Sequence, residues 1–142
     1  MSNPPIRVIL VDDHPAVRQT LKTILGSNSQ FEVIADCDNG ELAIEKAEDL
    51  IPDIMIVDIN MEPMNGFEVV EKIMEMVPSV KIIALSINNQ TKYVTRMLEL
   101  GAKGYLTKTT PLNEMIQGII DVHNGETYIC QEMRRHFPAS EK

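Results

Sequence analysis

The sequence predicts an α/β fold in which helices cover both faces of a five-stranded parallel sheet. Five short segments rich in Val and Ile alternate strictly along the chain with five segments of helical spacing. Such alternation implies right-handed crossovers between parallel strands. The length of 142 residues, with 44% hydrophobic and 24% charged residues, fits one compact body with a single core.

The strands are identified by apolar runs of the kind that is buried on both faces of a sheet. In chain order the predicted strands span Ile6–Val11, 31–35, 54–57, 81–85 and Gly104–Thr107. Between and after them, apolar residues recur at spacings of three and four, as on one face of a helix. The five helical sets are Val17, Leu21, Ile24 and Leu25; Leu42, Ala43, Ala47 and Leu50; Phe67, Val70, Ile73 and Val77; Val94, Met97 and Leu98; and Leu112, Met115, Ile116 and Ile119.

Proline and glycine mark the ends of these helices. Pro15 and Pro111 suit first helical turns, while Gly26 and Gly101 suit C-terminal caps. After residue 123 the pattern loosens into a turn and a short helix within 131–137. We therefore assign residues 1–123 to one domain with its core in 6–123, and residues 124–142 to a tail or the start of a linker. A disordered surface and a linker toward an output domain are both compatible with this tail.

Charge and composition exclude several classes of function. The formal net charge of -8 opposes the phosphate backbone of nucleic acid, so we expect no direct nucleic-acid binding by this chain. We expect no membrane association and a cytoplasmic location, because the sequence has neither a signal-peptide pattern nor an apolar run of roughly 20 residues. Cys37 and Cys130 match no metal-ligand spacing, and we expect both to be free packing residues.

Polar residues that could take part in chemistry stand directly after four of the predicted strands. Asp12 and Asp13 follow the first strand, Asp58 the third, Ser86 the fourth and Lys108 the fifth. In an open parallel sheet the ligand site lies beyond the carboxyl ends of the strands. Each residue alone has an ordinary explanation as a helix cap, turn former or solvated charge. Their joint placement favours one functional site.

Three clustered carboxylates call for a cation. Two unit charges about 4 Å apart repel by roughly 4 kcal/mol at an effective dielectric of 20. Oxygen ligands favour a hard ion such as Mg²⁺, which keeps several waters that phosphoryl oxygens can replace. A carboxylate can also act as a nucleophile toward phosphorus. The sequence thus predicts Asp58, the central acid, as a phosphoacceptor, with Ser86 and Lys108 holding phosphoryl oxygens.

The chain resembles the response-regulator receiver family over roughly residues 6–123. The resemblance rests on five segments, at 11–15 (VDDHP), 58–61 (DINM), 65–66 (NG), 84–86 (ALS) and 101–108 (GAKGYLTK). It implies the flavodoxin-like doubly wound sheet with strand order 2-1-3-4-5. It also implies a cytoplasmic phosphoacceptor that catalyses only its own phosphorylation and dephosphorylation.

The resemblance assigns a role to each site residue. It implies that Asp58 accepts the phosphoryl group and that Asp13, Asp58 and the backbone carbonyl of Asn60 bind Mg²⁺ directly. Asp12 would act as a second acid, largely through water. Tyr105 matches the aromatic residue of the family that rotates inward when the Ser86 hydroxyl moves toward the phosphoryl group.

The resemblance also implies partners. The phosphoryl group would come from a sensor histidine kinase or a phosphotransfer protein, and phosphorylation would promote a homodimer. The Asp-Asp-His-Pro opening and residues 125–128 (GETY) are similar to receivers that precede a LuxR-type helix-turn-helix domain. A receiver from such a DNA-binding regulator is therefore expected, and a stand-alone receiver acting through protein contacts is the alternative.

Three positions depart from the pattern of the family. Ile87 stands after Ser86, where a small residue is frequent, so we expect it to slow access of water and small phosphodonors to Asp58. Its alternative position is inside the core. Pro63 comes one place later than usual. Thr109 replaces the proline that often follows the lysine, so the sequence gives no basis for assuming a cis peptide after Lys108.

Two other classes of protein share part of this pattern. Phosphohydrolases of the haloacid-dehalogenase type also use an aspartate at a strand end, but they place a second Asp two residues later as a general acid and base. Asn60 occupies that position here and cannot exchange a proton at neutral pH. A flavin-binding flavodoxin relative is disfavoured by the absence of Trp and by only three Phe and three Tyr residues.

Overall fold

The computed structural model describes residues 4–87 and 90–134. Strands and helices alternate along it. In chain order the elements are β1 Ile6–Val11, α1 Pro15–Gly26, β2 Phe31–Cys37, α2 Gly40–Leu50, β3 Ile54–Asp58, α3 Gly66–Met76, β4 Lys81–Ser86, α4 Thr91–Leu100, β5 Gly104–Thr107, α5 Leu112–His123, β6 Tyr128–Ile129 and α6 Gln131–Arg134.

The strands form one parallel sheet with the order β2-β1-β3-β4-β5-β6. The predicted flavodoxin-like architecture and the core order 2-1-3-4-5 are confirmed. In β1 and β3 nearly every side chain is buried, because helices cover both faces of a doubly wound sheet. The sixth strand was not predicted. It is two residues long and pairs with β5 through Gly104–Tyr128 and Tyr105–Ile129.

Three strands end later than the sequence predicted. Asp58 and Ser86 belong to β3 and β4, where Asp58 is in register with Leu85 and Ser86 with Thr107. The strand β2 likewise continues to Cys37. Backbone pairing does not depend on side-chain polarity, so a polar residue that closes an apolar run can still belong to the ladder.

Two of the four predicted helix ends are confirmed. Pro15 opens α1, and Gly101 ends α4 with a φ of 110°, a conformation that glycine adopts without steric cost. The prediction for Gly26 was wrong: it is the last helical residue, and the cap is Ser27 in a right-handed conformation. Pro111 precedes α5 as its N-cap residue, one position earlier than predicted.

The segment after α5 packs on the sheet. Cys130 and Met133 are buried, and the Cys130 N–H donates to the carbonyl of Tyr105 at 3.0 Å. A disordered surface therefore does not describe residues 124–134. The predicted short helix is present at Gln131–Arg134, and the remainder of 131–137 lies outside the described residues. That this segment begins a linker stays a prediction.

Two further expectations concern buried thiols and membranes. Cys37 and Cys130 are both buried and free, as predicted, and burial raises the pKa of the Cys37 thiol to about 11. This thiol is therefore protonated and unreactive at neutral pH. Within 4–87 and 90–134, no helix combines the length and apolar character needed to cross a bilayer.

Candidate functional site

The predicted site residues meet at the carboxyl edge of the sheet. Asp12 follows β1, Asp58 ends β3, Ser86 ends β4 and Lys108 follows β5. The four strands are parallel neighbours, so their carboxyl ends lie side by side. The backbone N–H of Lys108 donates to the carbonyl of Ser86 at 2.8 Å, which fixes the start of the β5–α5 loop against the end of β4.

The acidic residues form a compact cluster. Asp12 and Asp58 are 2% and 0% exposed, whereas the side chain of Asp13 is 32% exposed. One ligand atom from each of Asp12, Asp13, His14 and Asp58 lies within 4.8 Å of the others. The sequence prediction that Asp12, Asp13 and Asp58 come together is matched by this geometry.

The two oxygens of Asp58 have different surroundings. Its Oδ1 accepts a hydrogen bond from the Asn60 backbone N–H at 2.9 Å, and its Oδ2 lies 3.3 Å from the Lys108 Nζ. Burial raises the pKa of Asp58 above its ordinary value, and the charge of Asp12 acts in the same direction. The Asn60 N–H and Lys108 oppose the rise, because they stabilise the ionised form.

Lys108 lies between two acids. Its Nζ is 3.1 Å from Asp12 Oδ2 as well as 3.3 Å from Asp58 Oδ2. One ammonium group cannot offset the charge of three carboxylates. The Oδ2 of Asp12 and the Oδ1 of Asp13 are buried without a hydrogen bond of good geometry among the described residues. Buried carboxylate oxygens of this kind fit a hard cation, so the cluster can hold a metal ion.

His14 is a site residue that the sequence reasoning missed. Its Nδ1 lies 3.0 Å from Asp12 Oδ1, 3.2 Å from Asp13 Oδ1 and 3.2 Å from the Lys108 Nζ. Its backbone N–H also donates to Asp12 Oδ1 at 2.8 Å. The signal was its position directly after two acids, but its side chain is half exposed, and a sequence does not give its direction.

Ser86 and Tyr105 are both buried completely. Burial raises the pKa of the Tyr105 hydroxyl, and the nearby Ser86 hydroxyl partly opposes the rise. The Tyr105 hydroxyl makes no hydrogen bond of good geometry within the described residues. The structure therefore places the ring inside the protein and beside Ser86, as an inward-facing aromatic residue would be.

Asn60 and Ile87 join the loops that follow β3 and β4. The Oδ1 of Asn60 accepts a hydrogen bond from the Ile87 backbone N–H at 3.4 Å. The use of the Asn60 carbonyl as a metal ligand stays a prediction. The side chain of Ile87 is 66% exposed, so its alternative position inside the core is wrong.

The two other positions that depart from the family pattern are Pro63 and Thr109. The peptide bond between Glu62 and Pro63 is cis, whereas the bond between Lys108 and Thr109 is not. The Thr109 hydroxyl donates a hydrogen bond to Glu132 in α6 at 3.1 Å.

Comparison with known proteins agrees with the fold and identifies a family. The response regulator receiver domain family matches residues 8–120. The chain is 39% identical over 124 residues to the transcriptional regulatory protein DegU of Brevibacillus brevis, covering 87% of this chain and 52% of the relative. It is 33% identical over 141 residues to the nitrate/nitrite response regulator protein NarL of Escherichia coli K12, covering 99% and 65%.

Solved structures give the same result. A two-component response regulator of the LuxR family from Aurantimonas matches with a TM-score of 0.90 at 24% identity, covering 96% of this chain and 97% of that one, which supports the fold. A DNA-binding response regulator of the LuxR family from Staphylococcus aureus matches with a TM-score of 0.78 at 27% identity, covering 84% and 99%. The chain spans between about half and two thirds of the length of the two curated relatives.

Proposed function

We propose that Asp58 of this chain accepts a phosphoryl group, because the chain belongs to the family of response regulator receiver domains of the LuxR and NarL type. One observation carries the proposal. The Asn60 N–H occupies Asp58 Oδ1, whereas Oδ2 faces the Lys108 ammonium at 3.3 Å. One oxygen of a buried carboxylate is thus directed toward a cation that can also neutralise a phosphoryl group.

The chemistry requires little more than positioning. An oxygen of ionised Asp58 attacks the phosphorus of a phosphohistidine on the donor protein, and the bond between phosphorus and the histidine nitrogen breaks. The leaving nitrogen takes a proton from the donor or from water. Phosphoryl transfer of this kind places charge on the equatorial oxygens. Lys108 and the Ser86 hydroxyl would each hold one of them. Asp12, Asp13, Asp58 and the Asn60 carbonyl would hold Mg²⁺, which supplies charge neutralisation when bound.

The reaction is confined to the protein itself. Receiver domains are signalling phosphoacceptors, and Asn60 offers no acid or base two residues after Asp58 for turnover on external substrates. The chain would therefore catalyse only its own phosphorylation and dephosphorylation, with Tyr105 beside Ser86 as the residue that reports the change.

The partner that we propose is a sensor histidine kinase or a histidine phosphotransfer protein. An apolar groove of about 320 Å³ opens beside Lys108, and it is lined by Val17 and Leu21 of α1 and by Leu112 and Met115 of α5. A donor whose histidine reaches Asp58 must contact the surface next to Lys108. A partially exposed apolar groove at this place supports such contact.

The output that we propose is regulation of transcription in the cytoplasm. The curated relatives include a transcriptional regulatory protein and a nitrate/nitrite response regulator, both longer than this chain. We propose that the receiver controls a LuxR-type DNA-binding domain and that phosphorylation promotes its homodimer. The alternative, a stand-alone receiver, predicts that the gene encodes no such domain after Lys142.

Labelling by a small donor tests the phosphoacceptor. Phosphoramidate with Mg²⁺ should add one phosphoryl group, and mapping should place it on Asp58. Asp58→Asn should abolish the label because the amide keeps the shape and loses the nucleophile, and a chelator should suppress labelling of the parent. Asp49→Asn, at an exposed position of α2, is the matched control. Full labelling of Asp58→Asn would overturn the proposal.

A further inference from the structure

Lys108 is flanked by two threonines whose hydroxyls share one acceptor. The Thr107 hydroxyl donates to Glu132 Oε1 at 2.7 Å, and the Thr109 hydroxyl donates to the same oxygen at 3.1 Å. Hydrogen bonds to an ionised carboxylate are stronger than bonds between neutral groups. The two residues adjacent to Lys108 are thus tied to one point on α6.

The geometry separates the two sides of this segment. Lys108 and Thr109 lie in a turn that follows β5. The Thr107 and Thr109 hydroxyls face Glu132, whereas the Lys108 ammonium faces Asp58. The Thr107 N–H also donates to the Thr110 hydroxyl at 3.1 Å, and the Thr110 N–H donates to the Thr107 carbonyl at 3.0 Å. The backbone that carries Lys108 is held on the side away from the acidic cluster.

Glu132 is itself fixed by packing. Its neighbour Met133 is completely buried, and the Met133 and Arg134 N–H groups both donate to the Cys130 carbonyl, at 3.0 and 2.9 Å. Cys130 in turn donates to the carbonyl of Tyr105 at 3.0 Å. The acceptor for the two threonines is therefore anchored to α6 and, through Cys130, to the strand that carries Tyr105.

We propose that Glu132 is a positioning residue for Lys108, and that it links occupancy of Asp58 to the packing of α6. The proposal rests on the proposed function, because Lys108 must bind the phosphoryl group on Asp58. By holding Thr107 and Thr109, Glu132 keeps the Lys108 ammonium within reach of Asp58. Linkage is reciprocal for binding free energies, so a phosphoryl group held by Lys108 must stabilise the contacts of Glu132 to the same degree.

A merely structural role for Glu132 predicts something different. In that case its removal lowers the melting temperature and leaves the affinity of the folded site for a phosphoryl group unchanged. A positioning role predicts that the folded variant binds a phosphoryl mimic more weakly. It also predicts that the mimic slows amide hydrogen exchange in and around α6 only when Glu132 is present.

The test measures the binding of beryllofluoride to the whole chain at saturating Mg²⁺. Glu132→Ala should weaken binding about tenfold, because the mimic must then order the segment that carries Lys108 without these two charge-assisted hydrogen bonds. This factor corresponds to ~1.4 kcal/mol. Glu126→Ala is the control: its side chain is exposed in the same segment, and binding should stay within about twofold of the parent. Amides of 128–134 should exchange about tenfold more slowly in the beryllofluoride complex of the parent, and not in that of Glu132→Ala.

A second variant guards against loss of folding. Thr109 is exposed, and Thr109→Val removes one donor while keeping the shape, so binding should weaken about threefold. Affinities within about twofold of the parent for folded Glu132→Ala, or for Thr109→Val if Glu132→Ala does not fold, would overturn the role of Glu132. Failure of the parent itself to bind beryllofluoride, or binding unaffected by Asp58→Asn, would instead contradict the proposed function.

Discussion

Ile87 illustrates what a single side chain can decide at the edge of the site. The residue follows Ser86, and its backbone N–H donates to the Asn60 side chain. Because its side chain is 66% exposed, it contributes little to the core. That this branched side chain obstructs the approach to Asp58 stays a prediction.

We predict that Ile87→Ala speeds both phosphorylation by small donors and hydrolysis of the phosphorylated state, by about threefold to tenfold. Donors and water must both approach in line with the bond that breaks, and a smaller side chain would obstruct them less. The free energy of unfolding should change by less than about 0.5 kcal/mol, as for other exposed positions. Unchanged rates measured with phosphoramidate and by loss of label would contradict the role of Ile87.

Asp58 carries a prediction about pH in the metal-free protein. Its folded-state pKa is raised above the ordinary value of 3.8, chiefly by burial. The native state therefore holds the proton more tightly than the unfolded state, and the resulting stability is fully present below pH 3.8. It is lost as the pH rises through the raised pKa, where the buried group must ionise.

Asp58→Asn should consequently raise the melting temperature by a few degrees at pH 7 in chelator, because it removes the buried charge. The gain should shrink as the pH is lowered toward 3.8. Thermal melts of the parent and variant across this range check the sign. A gain that grows on acidification would show that burial of charge is not the cause.

At the scale of single elements, the sequence predicted strand positions well and strand ends less well. Apolar runs such as Ile6–Val11 and Gly104–Thr107 were confirmed residue by residue. Burial on both faces leaves an apolar pattern that sequence alone displays. Asp58 and Ser86 were predicted just outside their strands, since a ladder hydrogen bond between backbone groups has no sequence signature.

The end of α2 shows a local feature that no pattern indicated. Ile51 is its C-cap residue and has a φ of 44°, although a β-branched residue rarely adopts this left-handed conformation. The Arg7 guanidinium donates to the carbonyls of Ile51 and Leu50, each at 2.9 Å. Side-chain contacts from β1 thus stabilise a turn that the local sequence disfavours.

We predict that Ile51→Gly is more stable than Ile51→Ala by about 1 kcal/mol, because glycine adopts the left-handed conformation without a steric penalty. Ile51 is 53% exposed, so both variants lose a similar, small amount of burial. Glu48 is an exposed position within α2. There the Glu48→Ala variant should be more stable than Glu48→Gly, since Gly weakens a helix interior. Urea unfolding of the four variants measures the difference. A larger free energy of unfolding for Ala than for Gly at both positions would exclude strain at Ile51.

At the scale of the whole molecule, the fold brings together what the chain separates. Asp12, Asp58 and Lys108 were predicted to meet because strand ends share one edge, and that argument needs only the parallel order of the sheet. His14 and Glu132 were missed for a different reason. The contacts of His14 depend on the direction of a half-exposed side chain. Those of Glu132 depend on a segment that β6 holds to the sheet, and this two-residue strand is too short to produce a periodic pattern.

The C-terminal segment leads to the last prediction. A chain ended after His123 should be less stable than the parent by about 3–5 kcal/mol, because it loses the fully buried Met133 and Cys130 and leaves cavities against the core. It also exposes the edge of β5, where Gly104 and Tyr105 pair with β6. A chain ended after Arg134 keeps these contacts and should match the parent. Denaturant unfolding of all three chains measures the difference. Equal stability of the two shortened chains would mean that residues 124–134 only cover the sheet. The expected result, in which the chain ended after His123 is the less stable one, makes this segment part of the folded core that also contains Tyr105.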